Sequence, residues 1–151
     1  MRSLLKTIHL IALAVFLGSI ITYIFAGAFI PEGDAHALTL NRQFVFVGTK
    51  LLTIPAMLVT GITGILLMGK PSQRWLWVKL IGFVIIALNT YLFIYPAIDD
   101  SVVFLSENKI ELFDDALMKE AIFGALNILL IVVLVFVATK KPSFFANRKI
   151  S

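Results

Sequence analysis

Apolar residues fall into four long runs separated by short polar breaks: Leu4–Ile30, Phe44–Met68, Trp75–Pro96 and Met118–Thr139. None of the runs alternates with the period of two that marks a half-buried strand. Each is long enough to cross a bilayer, because ~20 helical residues at ~1.5 Å per residue span the ~30 Å hydrocarbon layer. The pattern predicts an all-α, polytopic membrane protein. It forms one antiparallel four-helix transmembrane bundle over residues 1–151, with spans at roughly 4–30, 44–68, 75–96 and 118–139.

The breaks carry turn chemistry. Pro31-Glu32-Gly33-Asp34 ends the first span, and Gly69-Lys70-Pro71-Ser72-Gln73-Arg74 is a tight hairpin between the second and third. A longer acidic loop is expected from Ala97 to Leu117, with helical turns from Ile110 leading into the fourth span. Pro55 removes a backbone donor within span 2 and is expected to kink it. Arg2 and Lys6 before an apolar run, with Ala26-Gly27-Ala28 after it, outline a signal peptide. That run exceeds the usual 7–15 residues, so the expectation is a retained span.

Composition agrees with the pattern. Hydrophobic residues make up 60% of the chain and charged ones 15%, against about 45–50% and about 25% in soluble domains. The mean hydropathy is +0.98. The absence of cysteine excludes disulfides, thiolate metal sites, iron–sulfur clusters and c-type haem attachment. The net charge of +4 does not point to nucleic acid, because the basic residues flank the spans and form no continuous patch. They mark topology instead. Arg2, Lys6, Lys70, Arg74, Lys140, Lys141, Arg148 and Lys149 lie on the N-terminal side with no acid among them. All nine acids lie on the other side, with Arg42, Lys109 and Lys119. The positive-inside rule then places both termini in the cytoplasm.

Against this background the polar residues within spans stand out. His9 is the one histidine inside an apolar run, and an ionisable group at that depth needs a partner or a use. Above it Ala12, Phe16, Ser19, Tyr23 and Ala26 form a small and polar stripe expected to face the bundle. The alternating direction of the spans brings Lys79 of span 3 and Met68 of span 2 to the level of His9. Two readings fit. In one, His9 is the axial ligand of a b-type haem, Lys79 or Lys6 holds a propionate, and Met68 is a second ligand or none is present. In the other, His9 hydrogen-bonds Ser or Thr across helices and Lys79 snorkels to the headgroups.

Lys50 and Glu120 fall at similar depth near the opposite surface and are expected to form an ion pair. Asn89 and Asn127 are interior polar positions, which together with that pair offer the outline of an ion or proton relay. Thr60, Gly61, Thr63 and Gly64 mark either close helix contact or a substrate-lined groove. His36 lies across the membrane from His9, so the two cannot share a metal; no metal is expected beyond haem iron at His9.

Lys6-Thr7-Ile8-His9-Leu10 running on to Gly18, and Trp75-Leu76-Trp77-Val78-Lys79-Leu80, resemble segments of small bacterial membrane proteins. The chain resembles an uncharacterised family of predicted integral membrane proteins, four-helical, with an arginine ahead of span 2 (here Arg42) and a Thr/Gly-rich span 2. The likeness covers roughly residues 3–97. More distantly, the same two patches resemble the HemJ-type protoporphyrinogen oxidases, in which a helix-1 histidine after K-x-x and a lysine after W-L-x-x are associated with haem b and activity. His9 and Lys79 match those positions. The chain departs from that family at Tyr23-Ile24-Phe25-Ala26-Gly27-Ala28-Phe29, where an arginine and a further histidine are the rule. It also resembles the copper-resistance D-type membrane domains in general outline, without their abundance of histidine and methionine.

The expected function is that of a small protein of the bacterial inner (plasma) membrane, of unknown activity, with His9 as a candidate haem b ligand in a redox role. Two alternatives stay open. One is a non-catalytic accessory or assembly subunit, meeting partner helices through the Gly/Thr face of span 2. The other is a small transporter working as a homodimer. The expected partners are the lipid bilayer and either a second copy or another membrane protein.

Overall fold

The apolar runs are helical because a backbone in lipid must satisfy its N–H and C=O groups within its own segment. The computed structural model describes residues 2–31, 34–68 and 74–140. The hairpin expected between the second and third spans and the basic tail lie outside those residues. Four helices fill the rest. α1 is Arg2–Ala28 and α2 is Ala35–Met68. α3, residues 74–106, joins Arg74–Asn89 and Tyr95–Ser106 through a short π-helical turn. α4 is Ile110–Lys140. All four are long and apolar enough to cross a membrane, and the protein is an all-α four-helix bundle suited to one.

The helices outrun the apolar runs at one end. α2 has 34 residues, which is ~50 Å of helix against a ~30 Å hydrocarbon layer. It begins nine residues before Phe44, capped by Asp34, whose carboxylate accepts from the Ala37 N–H at 2.9 Å. His36 therefore sits on the first helical turn, exposed, and not in a loop. The acidic stretch expected as a loop is helix on both sides of a tight turn at Glu107-Asn108-Lys109. Asn108 has φ 56°, its N–H donates to Leu105 O at 3.2 Å, and the Lys109 N–H donates to Phe104 O at 2.9 Å. This is a Schellman ending, with asparagine in the left-handed position more often held by glycine. The two ends of the bundle are called terminal, where α1 begins and α4 ends, and distal. At the distal end α2, α3 and α4 continue past the end of α1 as a three-helix crown, with Ile98, Phe113 and Ala116 buried within it.

Neither proline ends its helix. Each follows a π-helical turn, Thr49–Thr53 before Pro55 and Thr90–Ile94 before Pro96. A proline ring collides with the carbonyl four residues back and leaves it without a donor. One wider turn displaces that carbonyl and re-forms the ladder, with Ile54 N–H on Thr49 O and Tyr95 N–H on Thr90 O. A bulge thus accompanies Pro55, where a kink is expected, and span 3 runs through Pro96 instead of stopping there.

α1 packs on α2, and α3 on α4, as two hairpins. α2 and α3 join along their distal halves and separate toward the terminal end. At mid-height Phe16, Ala56, Met57, Ile86 and Ile131, drawn from all four helices, form the apolar core.

Candidate functional site

The buried polar side chains gather at three heights. At the distal end Arg42 of α2 is buried; its Nε donates to Ser101 Oγ of α3 at 3.0 Å and its Nη2 pairs with Glu120 of α4. Lys50 was expected to be that partner. It is exposed instead, with its ammonium 6.0 Å from the centre of the Phe46 ring, one turn toward the distal surface. The correction follows from the extra turns of α2: Arg42 lies inside the helix on its packed face, while Lys50 lies on the outward face.

Two hydroxyl and amide clusters flank the π-helical turns. Ser19 Oγ of α1 is 2.9 Å from Thr53 Oγ1 of α2, and Thr53 Oγ1 is 3.4 Å from Tyr23 Oη. A Cβ at Gly48 would collide with the Tyr23 hydroxyl, so glycine there lets α1 and α2 approach. In the other hairpin Asn89 Nδ2 donates to Phe123 O at 2.9 Å and to Asn127 Oδ1 at 2.8 Å; Asn127 Nδ2 donates to Thr90 Oγ1 at 2.8 Å. Asn89 and Asn127 are therefore structural partners that fasten α4 to the bulged turn of α3. They lie in the hairpin opposite Ser19 and Thr53.

At the terminal end His9 crosses from α1 to α2. Its Nδ1 is 3.0 Å from Thr60 O and 3.0 Å from Thr63 Oγ1. The Thr63 hydroxyl already donates its one proton back along α2, to Val59 O at 2.6 Å. A carbonyl only accepts, so both neighbours of Nδ1 present lone pairs. In the neutral ring the proton then belongs on Nδ1, which leaves the lone pair on Nε2. A backbone carbonyl accepting from one ring nitrogen is the usual support of a histidine that ligates through the other. Gly64 gives the ring room: a Cβ there would lie 3.3 Å from His9 Cε1.

His9 lines a cavity of about 400 Å³ that opens where the hairpins separate. Lys79 and Met68 line it too, so the three residues expected to converge do meet there. Apart from Thr60, the rest of the wall is apolar, with Leu13, Phe16, Phe83 and Ile131 prominent. Thr60, Gly61, Thr63 and Gly64 are used inside the bundle. A Cβ at Gly61 would overlap the Phe83 ring of α3, and Thr60, Gly61 and Gly64 also line the cavity, so this face of α2 looks into the bundle. Among the described residues no group of three or more His, Cys, Asp or Glu side chains is placed to hold a metal ion.

The Arg42 network is the feature the sequence reading missed. Its signal was a lone arginine eight residues after a helix-capping Asp34, in a segment too amphipathic to register as an apolar run. Compared with protein-family models, with curated proteins and with solved structures, the chain matches none.

Proposed function

We propose that this protein is a small haem b-binding redox protein of the bacterial inner membrane, with both termini in the cytoplasm. The observation that carries the reading is the commitment of His9 Nδ1 to Thr60 O, which leaves Nε2 as a ligand nitrogen on a residue lining an apolar cavity. The donors present fit the group. His9 supplies an imidazole, Met68 a thioether and Lys79 an ammonium for a propionate. The cavity also falls in the volume range of small-molecule and cofactor sites. Bound there, a haem supplies one-electron chemistry. The chain's own residues hold and orient it: Thr60 and Thr63 fix the ring of His9, Phe16 and Phe83 exclude water, and Lys79 sets the acidic edge toward the terminal end. The cytoplasmic placement of that end rests on the positive charges that flank it.

The test is the absorption spectrum of protein purified after expression with ample haem. A Soret band is expected. His9→Ala should abolish it, and Lys79→Ala should weaken or shift it. A colourless wild-type protein rejects the cofactor and leaves His9 as a packing residue.

A further inference from the structure

Three of the four seams around the bundle contain a glycine at a close approach. A Cβ at Gly48 would strike Tyr23 where α1 meets α2, one at Gly61 would strike Phe83 where α2 meets α3, and one at Gly82 would strike Leu134 where α3 meets α4. The seam between α4 and α1 is different. Among the described residues these two are not a closely packed pair, whereas α1 packs on α2 and α4 on α3. Gly124 follows Phe123, whose ring stacks on Phe93 of α3, and one residue turns a helix by ~100°. It is thus turned away from that stack, and a Cβ there would meet nothing within 4 Å. The core bridges this seam at one height, where Phe16 of α1 and Ile131 of α4 share a buried cluster. Below them the His9 cavity has a wall on each side of the seam, His9 and Leu13 on α1, Leu134 and Val135 on α4. Val135 lines the cavity and is also 43% exposed, so it stands on the rim. Leu13 lies ~16 Å along α1 from Arg2, a depth that is hydrocarbon in a bilayer and not headgroup.

We infer that the His9 cavity has a lateral mouth between α1 and α4, through which a lipophilic molecule dissolved in the bilayer reaches the His9 ring without passing through water. The inference rests on the reading of this cavity as the ligand site and adds the phase from which the ligand comes. Hydrocarbon lies on both sides of such a mouth, so apolar contact alone gives a molecule little reason to enter. What the cavity adds is the lone pair on His9 Nε2, set in a wall that is otherwise largely apolar. The ligand class is therefore a lipophile carrying one group that takes a lone pair. A water-soluble ion is excluded by the same wall, because it would shed its hydration in a layer that offers little in return.

The absence of cysteine makes the test direct. Leu13→Cys and Leu80→Cys each place a thiol on the cavity wall. Ile11→Cys places one at nearly the depth of Leu13 on the exposed face of α1, and Ser3→Cys one near the start of that helix, also exposed. Each full-length variant carries a nitroxide and is returned to vesicles of phosphatidylcholine and phosphatidylglycerol. Relaxation of the label by molecular oxygen, which concentrates in hydrocarbon, is compared with relaxation by a water-soluble nickel chelate. Oxygen should act on the Leu13 and Leu80 labels about as strongly as on the Ile11 label, and the chelate should act on them several-fold less than on the Ser3 label. Either wall position serves if the other variant does not fold.

Strong relaxation of the wall labels by the chelate would open the cavity to water and overturn the inference. Weak relaxation by both reagents, in a variant that keeps its helical content, would close the mouth and overturn it too. Val135→Trp narrows the rim, so it should lower the effect of oxygen on the Leu13 label and leave the Ile11 label unchanged. An unchanged Leu13 label in that folded protein puts the mouth elsewhere and rejects the seam. The haem reading stands or falls separately. A Soret band together with chelate-accessible wall labels would keep the haem and reject the mouth, and a colourless protein with oxygen-accessible labels would do the reverse.

Discussion

Arg42 ties three helices together at the place where the bundle leaves the apolar layer. It reaches Ser101 on α3 and Glu120 on α4 from one guanidinium, a use for which a planar fork of donors is suited and a lysine is not. Truncating one partner of a buried pair strands the other charge, and this is the larger part of the penalty. Glu120 keeps 22% of its side chain exposed, so Arg42→Ala should cost toward the lower end of the ~3–5 kcal/mol range for buried pairs. Arg42→Met with Glu120→Leu should recover much of it. Lys50→Met should cost no more than ~1 kcal/mol, the worth of an exposed cation–π contact such as the one with Phe46. Thermal unfolding in detergent measures all three, and equal losses from Arg42→Ala and Lys50→Met would contradict the assignment. Sequence reading placed His9, Met68 and Lys79 at one height because helical rise converts position into depth. It did not find the Arg42 pair, because depth alone cannot tell which face of a helix a residue occupies, and Lys50 and Arg42 differ in face.

The helices themselves were legible where hydrophobicity was continuous and illegible where it was not. Residues 35–43, 97–106 and 110–117 are helical without being uniformly apolar, since they lie in the crown, where only one face is buried. Pro96 also looked like a stop, and without the π-helical turn before it, it would be one. The turn that ends α3 depends on a single residue. Asn108 holds φ 56°, where an ordinary L-residue pays ~1–2 kcal/mol and a β-branched one pays at least that. Asn108→Gly should therefore match or slightly raise the wild-type melting temperature, and Asn108→Val should lower stability by ~1–2 kcal/mol. If both substitutions behave alike, the left-handed conformation is not what ends the helix.

For the whole molecule, an up-and-down bundle of four helices puts Ser3 and the end of α4 on one side and Ser106 on the other. Reporter fusions after residue 73 and at the C-terminus should report the cytoplasm, and a fusion near Ser106 the opposite compartment. An inverted pattern would move the His9 cavity to the outer leaflet. The separation of the two hairpins at their terminal ends has a further consequence for assembly. Each hairpin is internally complete: α1 and α2 share Ser19, Thr53 and the Gly48–Tyr23 approach, while α3 and α4 share the asparagine pair. Among the described residues, what binds one to the other is the distal contact of Arg42 with Ser101 and Glu120, the stack of Phe46 on Tyr95, the close approach of Phe83 to Gly61 and the mid-height core. Peptide continuity between residues 68 and 74 should then be dispensable for pairing. Residues 1–70 and 71–151, made as two separate polypeptides in the same cell, should co-purify as a stoichiometric pair, and Arg42→Ala in the first piece should make them part. A gene split at this point would still encode one working protein, so the chain is in effect a covalent heterodimer of hairpins, clasped at the far end and parted around His9.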